Sequence, residues 1–348
     1  MDRRGMSPKV PSLLACALAA LFCAGCFGGT SAVKLGAFVR ARSVAPQLAT
    51  SNNGHDLVLL APDGDRLGIV TSPGSLLSID APAWSPNGRL IVFQAATRAP
   101  LSSRVLLPPT DVYMTDAAGH TLDRVTTGRD ALSPRWSPDG RWIEYSKVMF
   151  VAGKRSAAIW IIHPDGSGAR EITGAAANQF DLAGPYNPRS GLIAFTRCTV
   201  VPPLAGGLEP DTCAVWTMRP DGSHQHMLAP QSEQPAWSPD GRRIVFASAR
   251  DHAGRISVGE DNVTWIRQLY TMSADGSNQR RLLTTHTSDQ APQWAPGGNV
   301  LSYQTSTGPL DETVIAIVNA DGSCARATVQ PGDAMAWRPG GTVGRITC

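Results

Sequence analysis

The sequence predicts an all-β fold of repeated antiparallel units, and three observations carry that expectation. A Trp-Ser-Pro-Asp-Gly turn recurs: "QPAWSPDGRRIVFAS" (234–248), "APAWSPNGRLIVFQA" (82–96), "SPRWSPDGRWIEYSK" (133–147) and "APQWAPGGNVLSYQT" (291–305). A second motif interleaves with it, an alternating apolar run that ends in an Asp-Gly or Ala-Gly turn. Composition agrees, because 34 Gly and 27 Pro in 348 residues suit many short strands joined by tight turns.

The repeat fixes the elements in order. The motif aromatics are Trp84, Trp136, Tyr186, Trp237, Trp294 and Trp337, at intervals of 52, 50, 51, 57 and 43 residues. No helical periodicity lies inside the unit, so the period is that of a radial β repeat rather than a helical solenoid. In the first hairpin a strand ends at Trp-Ser and Pro-Asp-Gly turns the chain. The returning strand carries Phe93, Tyr145, Phe195, Phe246 or Tyr303. The second hairpin reads "LVLLAPDGDRLGIVT" (57–71), "AIWIIHPDGSGAREIT" (158–173) or "QLYTMSADGSNQRRLLT" (268–284), with Gly where a tight turn needs positive φ. Two hairpins make one blade. The expectation is a six-bladed β-propeller of four-stranded antiparallel blades. The copy at 57–71 has no Trp motif before it, and the Trp motif at 336–348 has no second motif after it. Pairing of N- and C-terminal segments in one blade would therefore close the ring and remove its open edges. The aromatic of each motif is read as packing between neighbouring blades.

Ahead of the repeat, residues 1–25 read as a lipoprotein-type signal peptide, 26–54 as a tether and 55–348 as the propeller. Arg3, Arg4 and Lys9 form a basic start, and "LLACALAALFCAG" (13–25) is an apolar segment too short to span a bilayer. "CAGC" resembles a lipobox ending at Cys26, the expected lipidation site. Plain secretion with cleavage near Ala24 is the alternative. Both readings export the chain, and the first anchors it to a membrane facing the periplasm or the cell exterior.

The pairing of "PAWSPDGRRIVF" with "LYTMSADGSNQRRLLT" resembles the TolB-like, WD-like propeller repeats of exported bacterial proteins. The resemblance covers roughly residues 55–348 and implies a propeller that binds an envelope protein or peptide. That family carries an α/β domain ahead of its propeller, and 27–56 is too short for one.

Strand direction sorts the connections. The two repeated turns fall on one face and are nearly uniform. The connections at 94–111, 146–157, 197–213 and 248–268 fall on the other and vary in length. Variable loops on a rigid scaffold are where binding usually resides. On that face an acid precedes each motif aromatic: Asp80, Asp130, Asp181, Glu233, Asp289 and Asp333. Near a channel mouth they would focus negative potential on a cation or cationic peptide. The structural reading is that each caps nearby backbone at a loop–strand junction. Cys198 and Cys213 bracket the longest of these connections and are expected to bridge, whereas Cys324 and Cys348 read as lying on opposite faces, which argues against a bond.

Several classes are excluded or disfavoured. A net charge of +3 and the absence of a basic run leave no nucleic-acid partner. There is no G-x-S-x-G elbow, no His-Glu-x-x-His and no phosphate loop, and His224 with His226 lacks a third ligand. The expectation is a monomeric, non-enzymatic binding module with no catalytic residue, metal or cofactor. A small-ligand or glycan site, with or without hydrolysis across several blades, and a purely structural envelope component are the alternatives.

Overall fold

The computed structural model describes residues 47–52, 56–63, 65–71, 76–97, 109–199, 212–258, 262–306, 313–331 and 335–348. The signal segment with Cys26, the acid Asp333 and parts of the 94–111, 197–213 and 248–268 connections lie outside them. Among the described residues every regular element is a strand.

β1 (Leu48–Asn52), β2 (Asp56–Leu60) and β3 (Arg66–Thr71) share a sheet with the last strand of the chain. β4 (Leu76–Trp84), β5 (Leu90–Thr97), β6 (Thr110–Asp116) and β7 (Asp123–Arg124) form the next. Then β8 (Ala131–Trp136), β9 (Ile143–Val151), β10 (Lys154–Ile162), β11 (Arg170–Glu171), β12 (Gln179–Leu182), β13 (Ile193–Thr199), β14 (Cys213–Met218) and β15 (His226–Pro230) form one sheet. β16 (Ser232–Trp237) and β17 (Arg243–Ser248) pair onward to β20 (Gln268–Ser273) and β21 (Arg280–Arg281). A separate hairpin of β18 (Arg255–Val258) and β19 (Asn262–Trp265) interrupts them. β22 (Asp289–Trp294), β23 (Val300–Ser306), β24 (Thr313–Asn319) and β25 (Arg326–Pro331) form another sheet, and β26 (Met335–Trp337) completes the first. Inner strands of successive sheets pack against one another around a ring.

This corrects the expectation of a six-bladed propeller of four-stranded blades, since four such blades stand in the ring and not six. Four blades are discrete four-stranded sheets, and β8 to β15 run together as one eight-stranded sheet. The cause is local. β9 and β10 extend far enough for Ala157 to pair in parallel with Phe180 of β12, which joins two hairpin pairs that would otherwise part.

The repeated turns explain themselves residue by residue. In "WSPDG" the Ser137 hydroxyl donates to Asp139 at 2.6 Å and accepts from the Trp142 amide at 3.0 Å. Asp139 also accepts from the Arg141 amide, and Gly140 adopts φ 69°. Ser238 and Asp240 repeat this arrangement. In the second turn, Gly222 sits against the preceding outer strand so closely that a Cβ would lie 1.7 Å from the Ile172 carbonyl oxygen. The motif aromatics fill the gaps between sheets. Trp84 packs with Leu57 and Val70 of the preceding sheet, Trp136 with Val92 and Val112, and Trp337 with Val300 and Ile315. Buried indoles of this kind each remove on the order of 200 Å² from water and lock one sheet's angle to the next.

Ring closure differs in detail from the expected exchange of two complementary hairpins. The C-terminus supplies only β26, which pairs Trp337, Ala336 and Met335 with Leu48, Ala49 and Thr50 of β1. The N-terminus supplies the other three strands, so regular structure begins ahead of residue 55. With β1 beside β26, residues after Trp337 have no strand to join. They run across the turn face instead, where Val343 is buried and Ile346 packs on the same core. The Asn319 amide bonds the Ile346 carbonyl, and Cys348 reaches Cys324 with Cα atoms 4.9 Å apart. The two cysteines are thus disulfide-bonded, because the tail never crosses to the opposite face.

Cys348→Ser should therefore lower unfolding stability in urea by about 3 kcal/mol, the chain-entropy expectation for a loop of this length. An unchanged midpoint would mean that the tail does not restrain the ring.

Candidate functional site

The variable face is built where inner strands begin and where the second strands of the sheets end. Register decides what each predicted acid meets there. Asp80 lies opposite Gln94, whose amide donates to it at 3.3 Å. Asp181 lies opposite Arg197, which holds it with two bonds of 2.7 Å. Asp289 lies opposite Thr305, and Thr305, Thr285 and Thr287 donate to it at 2.8, 2.6 and 3.1 Å. Glu233 lies opposite Ala247, which has nothing to offer, so Arg267 from the residue before β20 pairs with it. Asp130 is half-buried, 4.0 Å from the Lys147 ammonium.

The consequence is electrostatic. Asp181, Glu233 and Asp289 are 0%, 3% and 0% exposed, so their carboxylates do not front the opening. Burial raises the pKa of Asp289, and the three hydroxyl donors pull it back. Burial likewise raises that of Asp130, against the pull of Lys147. The geometry is that of junction-holding groups, and of the five described acids only Asp80 and Asp130 are partly open to solvent.

A second device accompanies the acids. Four inner strands carry a bulge at which a non-glycine residue takes positive φ: Ala81, Ser133, Gln234 and Ala291. The freed amides are taken by side chains. Ser133 donates to Gln94 of the preceding sheet at 2.7 Å, Gln234 to Thr196 at 2.9 Å and Ala291 to Gln234 at 2.8 Å. These bonds stitch sheet to sheet beside the acids and fix the loop bases relative to one another. Sequence reasoning missed them: Gln94 and Thr196 both follow the returning-strand aromatic, Phe93 and Phe195, but the residue type at that place varies from copy to copy and gives no motif to read.

Two hairpins rise from this face, β9–β10 and β18–β19. Cys198 and Cys213 are directly opposite across β13 and β14 and form a disulfide at the base of the connection between them. It packs with Ala157 and Phe180 in a small apolar cluster. Arg197, Arg267 and the hairpin tip were not legible as site residues, because each matters only through what register places beside it. Deeper in the sheet Glu144, opposite Arg135, is fully buried, and burial pushes its pKa up to about 8. Among the described residues no cluster of His, Cys, Asp and Glu is arranged to hold a metal ion, and no helix is long and apolar enough to cross a membrane.

The fold and its stitched inner strands define a β-propeller. No family model matches the chain. It is similar to the Tol-Pal system protein TolB of Anaeromyxobacter dehalogenans, 30% identical over 180 residues, which cover 41% of this chain and 39% of that protein. The chain thus matches well under half the length of these curated relatives. Among solved structures, TolB from Acinetobacter baumannii superposes with a TM-score of 0.60 at 17% identity, covering 84% of this chain and 67% of that one. Hydrazine synthase from Kuenenia stuttgartiensis superposes with a TM-score of 0.61 at 12% identity, covering 85% of this chain and 46% of that one. At such identities the superpositions establish the fold alone. The sequence match makes part of this propeller similar to TolB.

Arg197→Ala tests the junction role of the acids. It leaves Asp181 buried with only Gln179 as a side-chain donor. The expected loss is about 3–5 kcal/mol in chemical unfolding. A loss under about 1 kcal/mol would mean that Asp181 turns to solvent and is free to meet a ligand.

Proposed function

We propose that this chain is an exported, non-enzymatic TolB-like propeller that binds an envelope protein or peptide through its variable face. The observation that carries the reading is the asymmetry of the two faces. One is a set of near-identical turns bonded to themselves. The other carries two projecting hairpins on bases held by Arg197–Asp181, Arg267–Glu233 and the Cys198–Cys213 bridge. Fixed bases beneath unequal loops are a binding architecture, since rigid presentation reduces the entropy lost on association. In this reading the five described acids act as supports, with Asp80 and Asp130 the two placed to touch a partner. The relatives' name assigns them to the Tol-Pal system, and work by protein contact in the envelope is what we extend to this chain.

Lipidation at Cys26 remains part of the proposal, and the fold gives it a geometric consequence. Gln47 enters the ring on the turn face, where its carbonyl accepts from the Arg338 amide at 2.7 Å, and β1 runs from there toward the variable face. An anchor at Cys26 would thus tether the molecule by its uniform face and leave the variable face turned outward.

Photocrosslinking in cells tests the reading. A reactive residue at Thr127 or Ala253, on the variable face, should capture one dominant protein, and the same residue at Ser167 or Asp221, on the turn face, should not. Equal capture from both faces, or none from either, contradicts it.

A further inference from the structure

The β9–β10 hairpin is longer than the sheet that bears it. β8 follows β9 only as far as the Ala131–Lys147 pair. At the Val148–Ala157 pair Phe180 of β12 still flanks β10, and beyond it β9 and β10 continue alone through Met149–Ser156, Phe150–Arg155 and Val151–Lys154. Ala152 and Gly153 turn the chain with φ 48° and 73°. Two successive positive φ values make the tight connection whose twist matches that of the strands, so the tip is stiff.

Alternation places Val148, Phe150, Arg155 and Ala157 on one side of this ribbon. At its base Val148 and Ala157 pack on Phe180 and the Cys198–Cys213 bridge. At its end Phe150 is 76% exposed, the largest value for any large hydrophobic side chain among the described residues. The apolar ridge therefore runs from a disulfide-braced cluster to an uncovered aromatic ring.

Charge on the tip is equally unmatched. Elsewhere on this face four arginines have carboxylates, Arg124 with Asp111, Arg197 with Asp181, Arg267 with Glu233 and Arg281 with Asp251, and Arg250 is held by Ser232, Ser248 and Gln279. Among the described residues no carboxylate pairs with Arg155, directly opposite Phe150, or with Lys154 beside it. Arg155 is half-buried all the same, and burial with no compensating anion pulls its pKa down. A partly desolvated guanidinium gains most from a carboxylate, which it can hold with two parallel bonds.

We propose that the β9–β10 tip is the anchor of the binding face and that it takes an acidic, apolar peptide segment, one apolar side chain against Phe150 and a neighbouring carboxylate on Arg155, with the Lys154 charge adding attraction from the other side of the ribbon. This rests on the reading of the variable face as protein-binding and names the partner's chemistry. A membrane surface would also accept an aromatic and basic tip. A single exposed ring offers little area for insertion, however, and Gln47 leaves the ring from the opposite face.

The probe is a random peptide library displayed on phage and selected on the purified, full exported chain. Selected sequences should place Asp or Glu next to an apolar residue. A synthetic copy should bind the parent and lose about tenfold or more in affinity to Phe150→Ser and to Arg155→Glu. The thermal midpoint of both variants should hold, because neither change touches the core. No enriched peptide, or peptides that bind both variants as tightly as the parent, overturns the proposal. Sedimentation of the parent but not Phe150→Ser with vesicles containing phosphatidylglycerol, with no selected peptide, also overturns it in favour of a lipid surface. If Thr127 and Ala253 still crosslink a partner that tip variants do not affect, the binding face stands and the tip proposal alone fails.

Discussion

Three residues of β26 hydrogen-bond alongside β1, and on that short pairing the rest of the molecule depends. A chain of sheets packed side by side has two free ends, each exposing an apolar flank and a row of unpaired backbone groups. Joining the chain's ends inside one sheet leaves neither. It also fixes the tilt of every sheet, because each motif indole is wedged between its own sheet and the one before. Trp84 shows the coupling most directly: it packs on the first sheet, and its indole donates to the Ala336 carbonyl of β26 at 3.1 Å. The C-terminal tail reinforces the same seam, since it is bonded to the turn of the neighbouring sheet through Asn319 and Cys324.

Closure gives the inner-strand groups their meaning. Side chains such as Gln94 and Thr196 can reach a bulge amide in the next sheet only if that sheet is held at one angle. The buried acids then tie each loop base to the strand beside it. Asp181 with Arg197 and Glu233 with Arg267 are expensive to desolvate and contribute position more than net stability. Rigid bases under unequal loops leave the turn face as architecture and the variable face as the surface free to differ.

Local features were legible in the sequence and relational ones were not. Trp-Ser-Pro-Asp-Gly could be read as a turn because Ser137, Asp139 and Gly140 each act within the turn itself. The all-β repeat and the location of the variable connections followed from the same local signals. Blade separation could not be read, because it turned on whether Ala157 would reach Phe180 across a gap in sequence. Cys324 and Cys348 were misplaced for a related reason: β1 occupies the position that the tail would have filled as a strand. The acids were found by spacing, yet spacing does not reveal that Asp181 faces Arg197 while Glu233 faces Ala247. Partnership across strands is a property of register, and one sequence carries it only implicitly.

Amide hydrogen exchange through β1 tests closure most directly. If the β1–β26 pairing holds the ring, the Ala49 and Ala336 amides, which alternation from the Arg338–Gln47 bond places in that ladder, should exchange as slowly as those of central strands such as β5 and β23, through global unfolding. Fast exchange in β1 and β26 beneath a protected remainder would contradict it, and the rigidity of the variable face would then need another source.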